Sequence, residues 1–139
     1  MNYLVGDIGN TFVKISILND NFTIKKIYNI ETFKIHKKAY KKKFFNKFIN
    51  KYLYRKVLFS SVVPKVFKII KKDLSKKKFN VFEIKEKNIK KIIKIKEKNF
   101  NQLGSDRISN AIGSLKYNNS IIIDFGTATT FDIVKNRTY

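Results

Sequence analysis

Residues 3–18, YLVGDIGNTFVKISIL, decide the fold. Tyr3 to Ile8 is a short apolar run that reads as a buried strand, and Phe12 to Leu18 alternates apolar and polar residues on the two-residue period of a strand. Gly9-Asn10 between them is hairpin chemistry. Asn19-Asp20-Asn21 makes a second turn before Phe22 to Ile30, so the chain is expected to open as a three-stranded antiparallel meander.

Outward from that meander, apolar residues at three- and four-residue spacing (Phe33, Ala39, Tyr40, Phe44, Phe45, Phe48, Ile49 and Tyr52) predict one amphipathic helix or two between Glu31 and Tyr54. Lys56 to Ser61 reads as a strand, and Pro64 suits the first turn of a helix with Val66, Phe67, Ile70 and Leu74 on one face. Asn80 to Ile84 is a further strand, and a strand is preferred near Ile95 over the helix that Ile89, Ile92 and Ile93 also fit. After Gly104, the residues Ile108, Ala111, Ile112 and Leu115 predict a helix. Ser120 to Phe125 and Thr129 to Val134 then form a strand pair. Its Asp-Phe-Gly-Thr echoes the opening Asp-Ile-Gly-Asn-Thr. The expectation is an α/β protein of two similar domains, each opening with an Asp-x-Gly hairpin.

Charge is unevenly distributed. The 139 residues contain 31 Lys and Arg against 10 Asp and Glu, a formal net charge of +21. Residues 34–98 hold 24 basic and four acidic residues, whereas the segments on either side are nearly balanced. Lys, Ile, Asn, Phe and Tyr fill 84 positions, and all five have A- and T-rich codons, so the Lys excess has a compositional source. The basic middle could serve a nucleic-acid surface, but its aromatics recur at helical core spacing, which favours solvated helix faces and makes a nucleic-acid partner the weaker reading. With no Cys and a single His, His36, thiolate and histidine-rich metal sites are excluded. Carboxylates remain. No apolar run approaches the roughly 20 residues that cross a bilayer, and MNYLVGDIGN lacks a signal-peptide pattern, so a cytoplasmic protein with no membrane partner is expected.

Four of the six Asp are Asp7, Asp106, Asp124 and Asp132, and four of the seven Thr are Thr11, Thr127, Thr129 and Thr130. A strand ending in Asp, then Gly and a small hydroxyl residue, suits phosphate, because glycine admits close approach and turn N–H groups bind oxygen. In Asp7-Ile8-Gly9-Asn10-Thr11 the carboxylate would hold Mg2+ or its waters; an ordinary hairpin turn is the alternative. Asp124-Phe125-Gly126-Thr127 offers the same pair of readings. In Gly104-Ser105-Asp106-Arg107, Asp106 is either a helix cap or a general base taking a substrate hydroxyl proton, with Arg107 orienting an anionic substrate.

Taken together, DIGNTFVK (7–14), SSVVP (60–64), GSDR (104–107) and DFGTATTFD (124–132) resemble, in order and spacing, the motifs of type III pantothenate kinases, of the acetate and sugar kinase, Hsp70 and actin superfamily. The resemblance implies a ribonuclease H-like, actin-like ATPase fold with a mixed sheet, residues 1–118 forming a first domain and 119–139 the opening hairpin of a second. It implies that Asp7, Ile8, Gly9, Asn10, Thr11, Phe12, Val13 and Lys14 bind ATP phosphates and Mg2+, and that Thr127 contacts ATP. It implies that Gly104, Ser105, Asp106 and Arg107 line the pantothenate site, that Asp106 is the proton acceptor, and that Asp124 binds a monovalent cation, K+ or NH4+. It also implies a cytoplasmic homodimer making 4′-phosphopantothenate, the first step toward coenzyme A. Two positions depart from the family pattern: Glu97 stands where a substrate-contacting Tyr is usual, and Phe100 where a Pro commonly follows Asn. The family continues through most of a second domain, so the sequence is expected to be an N-terminal fragment. The alternative is a short non-catalytic relative that binds nucleotide or nucleic acid.

Overall fold

The computed structural model describes residues 2–49, 53–126 and 128–139, which separate into two compact units on either side of the Glu83–Ile84 bond. The first unit is an α/β layer. Its strands are β1 (Asn2–Ile8), β2 (Phe12–Leu18), β3 (Ile24–Glu31), β4 (Leu53–Ser61) and β5 (Asn80–Glu83). They lie in the order β3-β2-β1-β4-β5, with β1–β2 and β2–β3 antiparallel and β1–β4 and β4–β5 parallel. This mixed sheet, entered through a three-stranded meander, is the expected ribonuclease H-like arrangement.

The alternation read in the sequence sets which face is buried. Leu4, Ile8, Val13, Ile15, Val57, Phe59 and Val81 all lie on the core side. Gly6 belongs to that face too, and the Phe59 ring occupies the place a side chain at residue 6 would take: a Cβ there would lie 2.0 Å from Phe59 Cε1. Over this face lie α1 (Lys38–Asn46) and α2 (Pro64–Lys76). Pro64 opens α2 at its first turn, and Val66, Phe67, Ile70 and Leu74 are its buried stripe. The helix stops because Lys78 turns left-handed, at φ 64°. The Phe79 N–H then donates to Leu74 O at 3.1 Å and the Lys78 N–H to Ser75 O at 2.9 Å, a Schellman closure made without glycine.

Between β3 and β4 the apolar spacing resolves into two helical pieces, a 3-10 turn over Thr32–His36 and α1, separated by extended backbone at Lys37. Phe44, Phe45 and Phe48 are buried and pack ring against ring, with centroids 5.4 to 5.8 Å apart. Phe33 and Tyr40, expected on the same stripe, are exposed. Phe33 lies before the break at Lys37 and Tyr40 in the first turn of α1, and the ammonium groups of Lys34 and Lys37 lie over both rings. Tyr52 lies outside the described residues.

The second unit packs α3 (Ser105–Gly113) with β6 (Asn119–Phe125) and β7 (Thr129–Lys135), which form an antiparallel hairpin. Its core is Ile84, Ile89, Ile93, Leu103, Ile108, Ala111 and Val134. Instead of a strand near Ile95, the structure has one bridge between Lys94 and Thr138. Backbone hydrogen bonds from Lys94 N–H to Arg137 O (3.0 Å), Tyr139 N–H to Lys94 O (2.8 Å) and Lys96 N–H to Tyr139 O (2.9 Å) make a ladder too short for a strand. On the hairpin, Ser120, Ile122, Asp124, Thr130, Asp132 and Val134 share the more buried face. The opposite face presents Ile121, Ile123, Phe125, Phe131 and Ile133, each between 48% and 81% exposed. No helix among the described residues is long and apolar enough to cross a membrane.

Candidate functional site

Asp7 sits one residue before the end of β1, directly opposite Lys14 of β2, so the carboxylate and the ammonium occur as a cross-strand pair on the sheet face opposite the core. Ile8 and Val13, the next pair, are fully buried and anchor the turn from below. The turn closes with the Gly9 N–H donating to Phe12 O at 2.9 Å, which leaves Asn10, Thr11 and Phe12 at an exposed tip. Thr32, at the end of β3, straps it. Its N–H donates to Thr11 O at 2.9 Å, and its hydroxyl to Gly9 O at 2.7 Å.

Thr32 is 5% exposed, so its hydroxyl is committed to this bond. Thr32→Val keeps the shape and deletes the donor. It is expected to lower stability by about 1–2 kcal/mol through the stranded carbonyl, seen as a lower urea midpoint at unchanged slope. An unchanged midpoint would show that the strap contributes nothing.

In the second unit, GSDR lies at the start of α3, with Gly104 as the N-cap residue and no side-chain cap bond from it. Asp106 Oδ1 accepts the Arg107 N–H at 2.8 Å, satisfying one orphan donor of the first turn. The carboxylate folds back so closely that a Cβ at Gly104 would lie 2.3 Å from Asp106 Oδ1. Glycine there lets the carboxylate keep its place. Ser105 is buried, and its carbonyl accepts the Ser109 hydroxyl at 2.8 Å.

Helix spacing then joins this motif to the hairpin. Arg107 and Asn110 are three residues apart and share a face of α3, and each reaches an aspartate. Asn110 Nδ2 donates to Asp124 Oδ2 at 3.3 Å. Arg107 Nε donates to Asp132 Oδ1 at 2.7 Å, its Nη2 pairs with the same carboxylate, and Nη2 also donates to Phe131 O at 3.2 Å. The Tyr139 hydroxyl donates to Asp132 Oδ1 at 2.5 Å. Asp132 beside it raises the Arg107 guanidinium above its ordinary pKa. Burial, and then the bond to Asp132, push the Tyr139 phenol well up, with Glu97 adding to the same effect.

The structure therefore gathers Asp7 to Lys14 around one turn, and Arg107 and Asp124 on one side of the second unit. Thr127 lies outside the described residues. Among the described residues no group of three or more His, Cys, Asp or Glu could hold a metal ion. Sequence reasoning did not single out Thr32, although it is a fifth member of a scarce residue type beside a motif turn. Nor did it assign roles to Asn110, Asp132 and Tyr139. The alternation of β7 puts Asp132 on the buried face with Val134, which is a signal that a buried carboxylate needs a cationic partner.

The family model of type III pantothenate kinase matches residues 3–139. The chain belongs to that family. It is 43% identical over 138 residues to the type III pantothenate kinase of Pelagibacter ubique (strain HTCC1062), covering 98% of this chain and 55% of that one. It is 37% identical over 147 residues to that of Sulfurihydrogenibium sp. (strain YO3AOP1), covering 98% of this chain and 57% of that one. The chain thus spans about half the length of the curated relatives it matches. Among solved structures, a ROK family protein from Streptococcus pneumoniae TIGR4 in complex with sucrose aligns over 98% of this chain and 46% of its own, at 13% identity and a TM-score of 0.43. All four motifs fall within the span that the family model matches.

Proposed function

We propose that the chain carries the phosphate, substrate and base motifs of an enzyme that transfers the γ-phosphoryl group of ATP to pantothenate, giving ADP and 4′-phosphopantothenate at the first step toward coenzyme A. The observation that carries this is the family match over residues 3–139, a span that contains all four motifs. In that reading the substrate hydroxyl loses its proton to Asp106 as its oxygen bonds to the γ-phosphorus and the bond to ADP breaks. Phosphoryl transfer depends mainly on positioning and charge stabilisation. Asp106 Oδ1 is engaged by the Arg107 N–H, so Oδ2 is the oxygen for the hydroxyl. Gly104 and Ser105 line the pantothenate pocket with Asp106 and Arg107, and Arg107 takes the substrate anion.

The turn from Asp7 to Lys14 receives the ATP phosphates, and Thr127 is a further ATP contact. Mg2+ keeps several waters and is commonly held by one or two carboxylates plus substrate phosphates, which the single carboxylate of Asp7 fits. The Asp124 carboxylate, oriented by Asn110, fits a hard monovalent cation, K+ or NH4+. Such cations supply charge neutralisation at the phosphates. On the same reading residues 1–118 are the first actin-like domain and 119–139 open the second, and the working enzyme is a cytoplasmic homodimer.

The test is ADP release by the native protein with ATP, Mg2+ and pantothenate, in K+ and in Na+, with the product identified by mass. Release that requires pantothenate and is stimulated by K+ is expected. No release, together with nucleic-acid binding that collapses steeply as salt rises, would overturn the kinase and favour a non-catalytic binding role for the Lys-rich residues 34–98.

A further inference from the structure

Asp132 is the most buried carboxylate described, at 2% exposure, yet none of the phosphoryl-transfer roles uses it. A charge so far from water is tolerated only when paired and hydrogen-bonded, and its partners here are Arg107 from α3 and the Tyr139 hydroxyl. They approach the same carboxylate oxygen, so Tyr139 fixes the acceptor on which Arg107 is held. Asp132 and Phe131 O engage one edge of the guanidinium, Nε and Nη2. Nη1 has no protein partner among the described residues, and the Arg107 side chain keeps 36% exposure.

An arginine anchored along one edge and open on the other is a preorganised anion receptor. Its long side chain has given up its rotational freedom before any ligand arrives, and its remaining donors point one way. We propose that Asp132, braced by Tyr139, is a positioning residue that presents the Nη1 side of Arg107 to the carboxylate of the substrate. This rests on the pantothenate kinase reading and extends it: selectivity for an anionic substrate depends on a residue that never touches that substrate. A plain structural staple between α3 and β7 would hold the same geometry but would have no preference among substrates.

The discriminating experiment compares native protein, Asp132→Asn and Tyr139→Phe on pantothenate and on its neutral analogue bearing a primary alcohol in place of the carboxylate. Asp132→Asn is expected to raise KM for pantothenate at least tenfold, to leave KM for ATP unchanged, and to leave kcat/KM for the neutral analogue within twofold. Tyr139→Phe, which keeps the ion pair and removes only the brace, is expected to raise KM for pantothenate a few-fold with the same selectivity; it provides the test if Asp132→Asn does not fold. Equal losses on both substrates in the folded variants, or unchanged KM for pantothenate, would overturn the positioning role while the kinase assignment stands. No turnover of pantothenate by the native protein would overturn the assignment itself, and the positioning role with it.

Discussion

Asp106→Asn is expected to lower pantothenate-dependent turnover by about 10²- to 10⁴-fold, the range over which a positioned general base contributes, while leaving the affinity for ATP essentially unchanged. The structure makes this substitution a clean one. The carboxylate has a local duty, accepting the Arg107 N–H at 2.8 Å, and an asparagine oxygen can take over that bond. What it cannot do is accept the proton. Asp106→Ala removes both functions and is expected to cost an additional ~1 kcal/mol of stability from the lost helix-start hydrogen bond. Turnover by stopped ADP assay and ATP affinity by calorimetry separate the two effects. Native turnover in Asp106→Asn would remove Asp106 from the reaction and leave it a cap.

Gly6→Ala is expected to be the most damaging single-methyl change in the first unit. A Cβ at residue 6 would stand 2.0 Å from Cε1, 2.3 Å from Cδ1 and 2.8 Å from Cζ of Phe59. That ring is fully buried and lies edge-on to Phe67, with centroids 6.0 Å apart. The phenyl ring therefore cannot swing outward, and β1 would have to part from β4. Overpacking of this kind costs roughly 1–3 kcal/mol and sometimes more, a large share of the ~5–15 kcal/mol that holds a domain together. A urea titration reads the loss directly. Pairing Gly6→Ala with Phe59→Leu should recover part of it, because the smaller side chain vacates the contested space, and the double-mutant cycle measures that coupling. A native midpoint for Gly6→Ala alone would show that the ring does not fill the notch.

Local patterns made much of the framework legible. Pro64 and the spacing of Val66, Phe67, Ile70 and Leu74 identify α2 and its buried face, and the alternation in Phe12 to Leu18 identifies β2 and its register against β1. The failures also have physical causes. Spacing alone put Phe33 and Tyr40 in the core, but the extended residue Lys37 separates Phe33 from the phase of α1, and Tyr40 stands in the first turn of α1, one turn before the helix meets the core at Phe44 and Phe45. Ile95 alternates with lysines like a strand residue, but its neighbours find only the short segment Arg137–Tyr139 to pair with. In the candidate site, scarcity and motif order single out Arg107 and Asp124. The partners that orient them were not legible, because Arg107 meets Asp132 across 25 residues of sequence. Periodicity tells which face a side chain occupies, not what stands opposite.

The outward face of the β6–β7 hairpin bears on how residues 1–139 would behave if studied as a separate segment. Five large apolar side chains on one open surface attract one another between molecules, whereas a net charge of +21 keeps those molecules apart. The repulsion reaches about 10 Å at 0.1 M salt but only about 3 Å at 1 M, and the apolar attraction is not screened at all. For residues 1–139 on their own, self-association is therefore expected to rise with salt, and light scattering of that segment in dilute buffer and at about 1 M salt would read it.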